Sequence, residues 1–127
     1  MKKLIVLFLF LGLFISCNKD KEDTCAVSDF VGVWQAEGEV CILNDATTLT
    51  ITDVGAGKIH GEYTGNGVTS DFDDWTVDGC AFTGSLINAD WEFNITINGT
   101  LTDGKLSIKN TGTVFGVPFT CTETFTK

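Results

Sequence analysis

Arginine is absent from this sequence, and histidine, proline and tyrosine occur once each. Eight lysines stand against 17 acidic residues, a formal charge of −9. A chain with so little cationic surface cannot neutralise a phosphate backbone, which excludes nucleic acid as a partner. The lone histidine, His60, lies in GKIHGEY on the face opposite Ile59, Gly61 and Tyr63, so it reads as a surface residue. No nucleophile motif accompanies it, so no catalytic residue is assigned and the chain is not read as an enzyme. The cysteines show no CxxC or CxH spacing, which argues against a zinc site. Asp71, Asp73, Asp74 and Asp78 gather in SDFDDWTVDG, but without the alternating acids and sixth-position glycine of a calcium loop. They read as a solvated acidic loop, and neither metal nor cofactor is expected. Two sequons, at Asn94 and Asn98, are accounted for by Asn and Thr on an exposed strand face.

One long apolar run is present. Met1, Lys2 and Lys3 precede LIVLFLFLGLFI, a positive region followed by an apolar region of signal-peptide length. It is shorter than the ~20 residues a membrane-spanning helix needs. Ser16 and Cys17 end it. This junction resembles a bacterial lipoprotein signal, with Phe14 where leucine is commoner. The resemblance implies cleavage before Cys17, acylation of its thiol, and attachment to a membrane through that lipid. Processing would leave six lysines against 17 acidic residues, a charge of −11, which also repels anionic headgroups. The following NKDKEDT has nothing apolar to bury and reads as a tether. Lys19, Asp20, Lys21, Glu22 and Asp23 within it resemble an acid-rich export tag. That tag implies the outer face of the outer membrane of a Gram-negative bacterium. The expected organisation is a signal peptide over 1–16, a lipidated cysteine and tether over 17–29, and one domain over 30–127.

Export places the remaining cysteines, Cys25, Cys41, Cys80 and Cys121, in an oxidising compartment, and an even count fits two disulfides with three connectivities open. Strand parity puts Cys80 and Cys121 on apolar faces. If those two pair, Cys25 is left for Cys41.

From Phe30 onward Thr, Val, Ile and Phe dominate and no apolar stripe of period 3.6 occurs. Turns can be placed by requiring that paired strands share an apolar face. In WTVDGCAF a turn at Asp78-Gly79 pairs Val77 with Cys80 and Trp75 with Phe82. In WEFNITINGTLTDGKLSIK a turn at Asp103-Gly104 pairs Leu101 with Leu106 and Gly99 with Ile108, whereas one at Asn98-Gly99 mixes the faces. A loop over Val54 to Ala56 pairs Ile51 with Ile59 and Leu49 with Gly61. A turn at Ala89-Asp90 sets Leu86 against Phe93 and Phe82 against Ile97. The result is about eight strands, over 32–42, 47–53, 57–64, 72–77, 80–88, 91–102, 105–110 and 113–126. Such a meander closes into a single antiparallel up-and-down barrel. The alternative, a two-sheet β-sandwich, needs longer connections than are seen.

The first strand begins FVGVWQAEGEV. Its Gly32-Val33-Trp34 resembles the G-x-W that opens the lipocalin barrel, and TCTETFTK is similar to the last strand of small lipocalin-like lipoproteins. The likeness covers about residues 30 to 127. It implies a calycin-type barrel with Trp34 closing one end. In that family a late-strand arginine packs on the tryptophan. Here the nearest cationic residue is Lys127.

Trp34, Ile51, Ile59, Tyr63, Trp75, Phe82, Phe93, Ile95, Leu106, Phe119 and Phe125 are expected to face inward, with Ala36, Gly38, Gly61, Gly84 and Gly99 among them. A small barrel with such a lining is either packed solid or a cup whose glycines make room for an apolar ligand. Trp34, Tyr63, Trp75, Phe82, Phe93, Phe119 and Glu123 are the candidate ligand-binding residues. Glu123 shares the parity of Phe119, Cys121 and Phe125. A lone buried carboxylate is costly, so it sits at the mouth, is turned out by a bulge, or meets a polar ligand group. The leading expectation is a lipid-anchored envelope protein that binds or carries a small hydrophobic molecule. The alternative is a surface interaction module, an adhesin or inhibitor, with a packed core. No protein partner is identified.

Overall fold

The computed structural model describes residues 24–41, 46–65, 68–90 and 92–127. The signal sequence, Cys17 and the export-tag residues lie outside the described residues. A short helix, α1 (Val27–Phe30), precedes nine strands: β1 (Gly32–Ala36), β2 (Thr48–Gly55), β3 (Lys58–Gly65), β4 (Val68–Asp71), β5 (Trp75–Asp78), β6 (Ala81–Asn88), β7 (Phe93–Thr102), β8 (Lys105–Val114) and β9 (Val117–Thr126). Every pairing is antiparallel. β1 joins β9 as well as β2, which closes the sheet on itself. β4 and β5 both pair with β3, so they share one position of an eight-strand up-and-down barrel. The sandwich arrangement is not adopted.

The inward and outward faces follow the alternation of the sequence. The registers correct it in detail. β2 and β3 are joined by a two-residue turn, Ala56-Gly57, with both residues at positive φ. A bulge near Val54 restores parity, so Ile51 pairs with Gly61 and Leu49 with Tyr63. The β5–β6 turn falls on Gly79-Cys80, with Gly79 at φ 60°, and Val77 pairs with Phe82. Glycine at the first central position is what a type II′ hairpin needs. Between β6 and β7, Phe82 pairs with Gly99 and Leu86 with Ile95. The Asp103-Gly104 turn is as expected, with Leu101 opposite Leu106 and Gly99 opposite Ile108.

The largest correction concerns the last two strands. β8 continues through the expected 110/113 break to Val114, and the chain turns at Phe115-Gly116, both at positive φ. Gly112 is an interior strand position, not a turn. A Cβ there would meet the backbone of Asn94, so it marks a close approach of β7. β1 stops at Ala36 rather than extending to residue 42, and α1 is an element that the strand-like composition did not announce.

The disulfides are Cys25–Cys80 and Cys41–Cys121, which overturns the expected Cys80–Cys121 and Cys25–Cys41 pairs. Cys80 lies in the β5–β6 turn, at the end of the barrel where α1 packs. Cys121 lies midway along β9, opposite Asn110 of β8. Cys80 and Cys121 therefore stand at different levels of the barrel.

Candidate functional site

The two ends of the barrel differ. At one end the aromatic side chains fill the interior. Trp75 is fully buried and stacks on Phe82 with ring centroids 4.8 Å apart and an interplanar angle of 3°. The Trp75 ring covers Gly61 and Gly84, and the Phe82 ring covers Gly99; a Cβ at any of these three glycines would collide with a ring. The inward glycines here therefore admit rings of the protein itself. Phe30 of α1 meets Phe82 edge to face at 5.7 Å. Trp34 donates its indole N–H to the Phe30 carbonyl at 2.7 Å. Lys127 lies with its ammonium 4.7 Å from the Trp34 ring centroid. Its Nζ also donates to the carbonyls of Asp29 at 3.0 Å and Val31 at 2.8 Å. Trp34, Trp75 and Phe82, three of the candidate ligand-binding residues, belong to this packed end.

Across the middle runs a polar layer. Glu123 is inside the barrel and buried, neither turned out by a bulge nor exposed at the mouth. Its Oε2 accepts a hydrogen bond from the Tyr63 hydroxyl at 2.9 Å, and its Oε1 accepts one from the Cys41 backbone N–H at 2.9 Å. Two donors on the two oxygens suit an ionised carboxylate and offset part of its desolvation. Burial raises the Tyr63 hydroxyl well above its ordinary pKa of 10.0, and the Glu123 charge and hydrogen bond add to the rise. Tyr63 therefore stays protonated and donates. Its ring packs edge to face on Phe72 at 5.1 Å and Phe125 at 6.1 Å.

Above this layer the barrel opens. A cavity of about 150 Å³ is lined by Cys41, Phe93, Ile95, Val114 and Phe119. Phe93 and Phe119 are thus the candidate residues that border open space. Ile95, Val114 and Cys41 join them. The sequence did not mark Val114 because the β8–β9 turn was placed too early. Around the mouth Ile87, Phe115 and Val117 are 67%, 57% and 64% exposed. Phe115 holds a left-handed backbone, φ 52°, uncommon for an aromatic residue, and its ring rests on Phe93 at 5.6 Å.

His60 lies on the outer surface, where its Nδ1 is 3.1 Å from Asp74 Oδ1. Asp73, Asp74 and Asp78 are exposed. Among the described residues no three His, Cys, Asp or Glu side chains converge as a metal site. No described helix is long and apolar enough to cross a membrane. Comparison with family models, with curated proteins and with solved structures finds no match.

Proposed function

We propose that this protein is a lipid-anchored component of the cell envelope, held to the outer membrane through Cys17, whose barrel binds or carries a small hydrophobic molecule. The observation that carries this reading is the apolar cavity bordered by Phe93 and Phe119 at the mouth of an otherwise filled barrel. Its volume, about 150 Å³, is that of a site for a single ring or the tip of an alkyl chain. A lipocalin-like barrel fits the placement of Trp34 at the closed end, with the Lys127 ammonium over its ring where that family's pattern leads one to look for an arginine. The alternative, a surface interaction module with a packed core, draws on the exposed Ile87, Phe115 and Val117 around the mouth.

Native mass spectrometry of the purified protein, followed by lipid extraction, tests the carrier reading. An apolar adduct that leaves when Phe119 is replaced by Trp supports it. A clean apo mass, with no displacement of an apolar dye, overturns it in favour of the interaction module. Intact mass of the membrane-extracted protein tests the anchor: acylated Cys17 as residue one is expected, and an unmodified Met1 terminus would refute it.

A further inference from the structure

Asn110 is fully buried on the inner face of β8, and neither its Nδ2 nor its Oδ1 has a hydrogen-bond partner. Buried amides without partners are rare in folded proteins because each unpaired polar atom carries its full desolvation cost. Burial at this position could have been met by leucine, the choice made two positions away from Ile108 at Leu106. Asn110 is not itself among the residues that line the mouth cavity, and its register places it one inward step below them. Asn110 pairs with Ile97 on β7 and with Cys121 on β9. The next inward position towards the mouth is Gly112, whose register partners, Ile95 and Phe119, line the cavity. The step between Asn110 and the cavity therefore carries no side chain on β8.

The charges around this position restrict what could pair with it. Glu123 is the register partner of Ile108, one inward step below Cys121, and its carboxylate faces the same interior. The described lysines, Lys58, Lys105, Lys109 and Lys127, are all exposed. An anionic ligand entering the mouth would meet a buried carboxylate and no cation among the described residues.

We propose that Asn110 is the polar recognition residue of the mouth cavity, and that the ligand is a neutral, amide-bearing small molecule with a short apolar body, not a fatty-acid anion. This rests on the cavity-binding reading above. A primary amide offers one donor and one acceptor side by side, the complement of the two free atoms of Asn110. A site holding an otherwise unpaired amide rejects ligands that cannot satisfy it. With no β8 side chain at Gly112 between Asn110 and the cavity, the head group enters first, while the alkyl tail remains between Phe93 and Phe119.

The test uses the full chain in phosphatidylcholine nanodiscs, titrated with hexanamide, hexanoate and toluene at pH 7, and followed by amide chemical shifts including the Asn110 side chain. Hexanamide is expected to bind at least tenfold more tightly than hexanoate. Replacing Asn110 by leucine (Asn110→Leu) is expected to weaken hexanamide at least tenfold and to leave toluene unchanged. Hexanoate binding as tightly as hexanamide overturns the proposal. So does hexanamide affinity unchanged in Asn110→Leu, which would assign the amide to a buried water alone. If toluene binds and the amide preference is missing, only this inference fails. If none of the three shifts a mouth resonance, the cavity-binding reading fails with it. The comparison within the wild-type chain decides the matter even where Asn110→Leu does not fold.

Discussion

At the closed end of the barrel, Trp75 and Phe82 lie ring on ring over three glycines, and α1 with Trp34 and Lys127 covers them. At the mouth, Phe93 and Phe119 border open space, and Ile87, Phe115 and Val117 face solvent. The same residue types, inward aromatics and strand glycines, are used in both places. What differs is whether a ring lies over the glycine. Gly61, Gly84 and Gly99 are each roofed by an aromatic ring, while Gly112 is pressed against the β7 backbone and leaves the interior above Asn110 without a side chain from β8. Stability is concentrated where rings and glycines fit together, and binding is possible where they do not.

This contrast can be broken most severely at the closed end. Trp75→Ala should cost about 3–5 kcal/mol in chemical denaturation, because it leaves a large void between Gly61, Gly84 and Phe82. A loss below about 1 kcal/mol would mean that this end is not the packed one. The middle layer should give the next largest effect. Tyr63→Phe removes one donor from a buried carboxylate and should cost about 1–3 kcal/mol at neutral pH. It should also change the alkaline limb. Because the folded-state pKa of Tyr63 is raised, its contribution is complete below about pH 10, the unfolded value, and is lost as pH climbs from there towards the folded value. Denaturation midpoints measured from pH 8 to 11.5 should fall less steeply in Tyr63→Phe than in the wild type. Parallel curves would refute the assignment. At the mouth, Val117→Ser should shift stability by less than about 0.5 kcal/mol. Apolar dye uptake should persist in that variant, which separates the rim from the core. A loss comparable to that of Trp75→Ala would erase the distinction between the two ends.

The face of nearly every strand residue was legible in the sequence, and so was the register across Asp103-Gly104, but the other hairpin registers were not, for one physical reason. Side chains alternate with period two, so sliding a strand by two residues preserves every inward position. Pairing Phe82 with Ile97 or with Gly99 satisfies the apolar pattern equally. The folded chain chooses Gly99 because a ring needs a neighbour without a Cβ. The Phe115-Gly116 turn was hidden for a different reason. VFGV carries no polar turn residue, and Gly112 offered a competing break. The disulfide partners were not legible because parity gives a cysteine's face and not its level: Cys80 sits in the β5–β6 turn and Cys121 midway along β9. Of the candidate ligand-binding residues, Phe93 and Phe119 reach the cavity, because both lie at strand ends near the mouth. Trp34, Trp75 and Phe82 lie at the opposite end. Asn110 escaped notice because the expected strand ended at it, which set it beside a turn, whereas β8 runs on to Val114 and leaves it buried.

The Cys25–Cys80 bridge bears on mechanics as well as on folding. It ties the chain just ahead of α1 to the β5–β6 turn at the closed end. A pull exerted on the polypeptide before Thr24 is passed through a covalent link into that turn. It does not have to be borne by the hydrogen bonds of β1, which meets β9 at only two register positions, Gln35 with Thr126 and Ala36 with Phe125. Load enters at the rigid aromatic end, and the cavity sits at the far end, shielded from strain by the full length of the barrel.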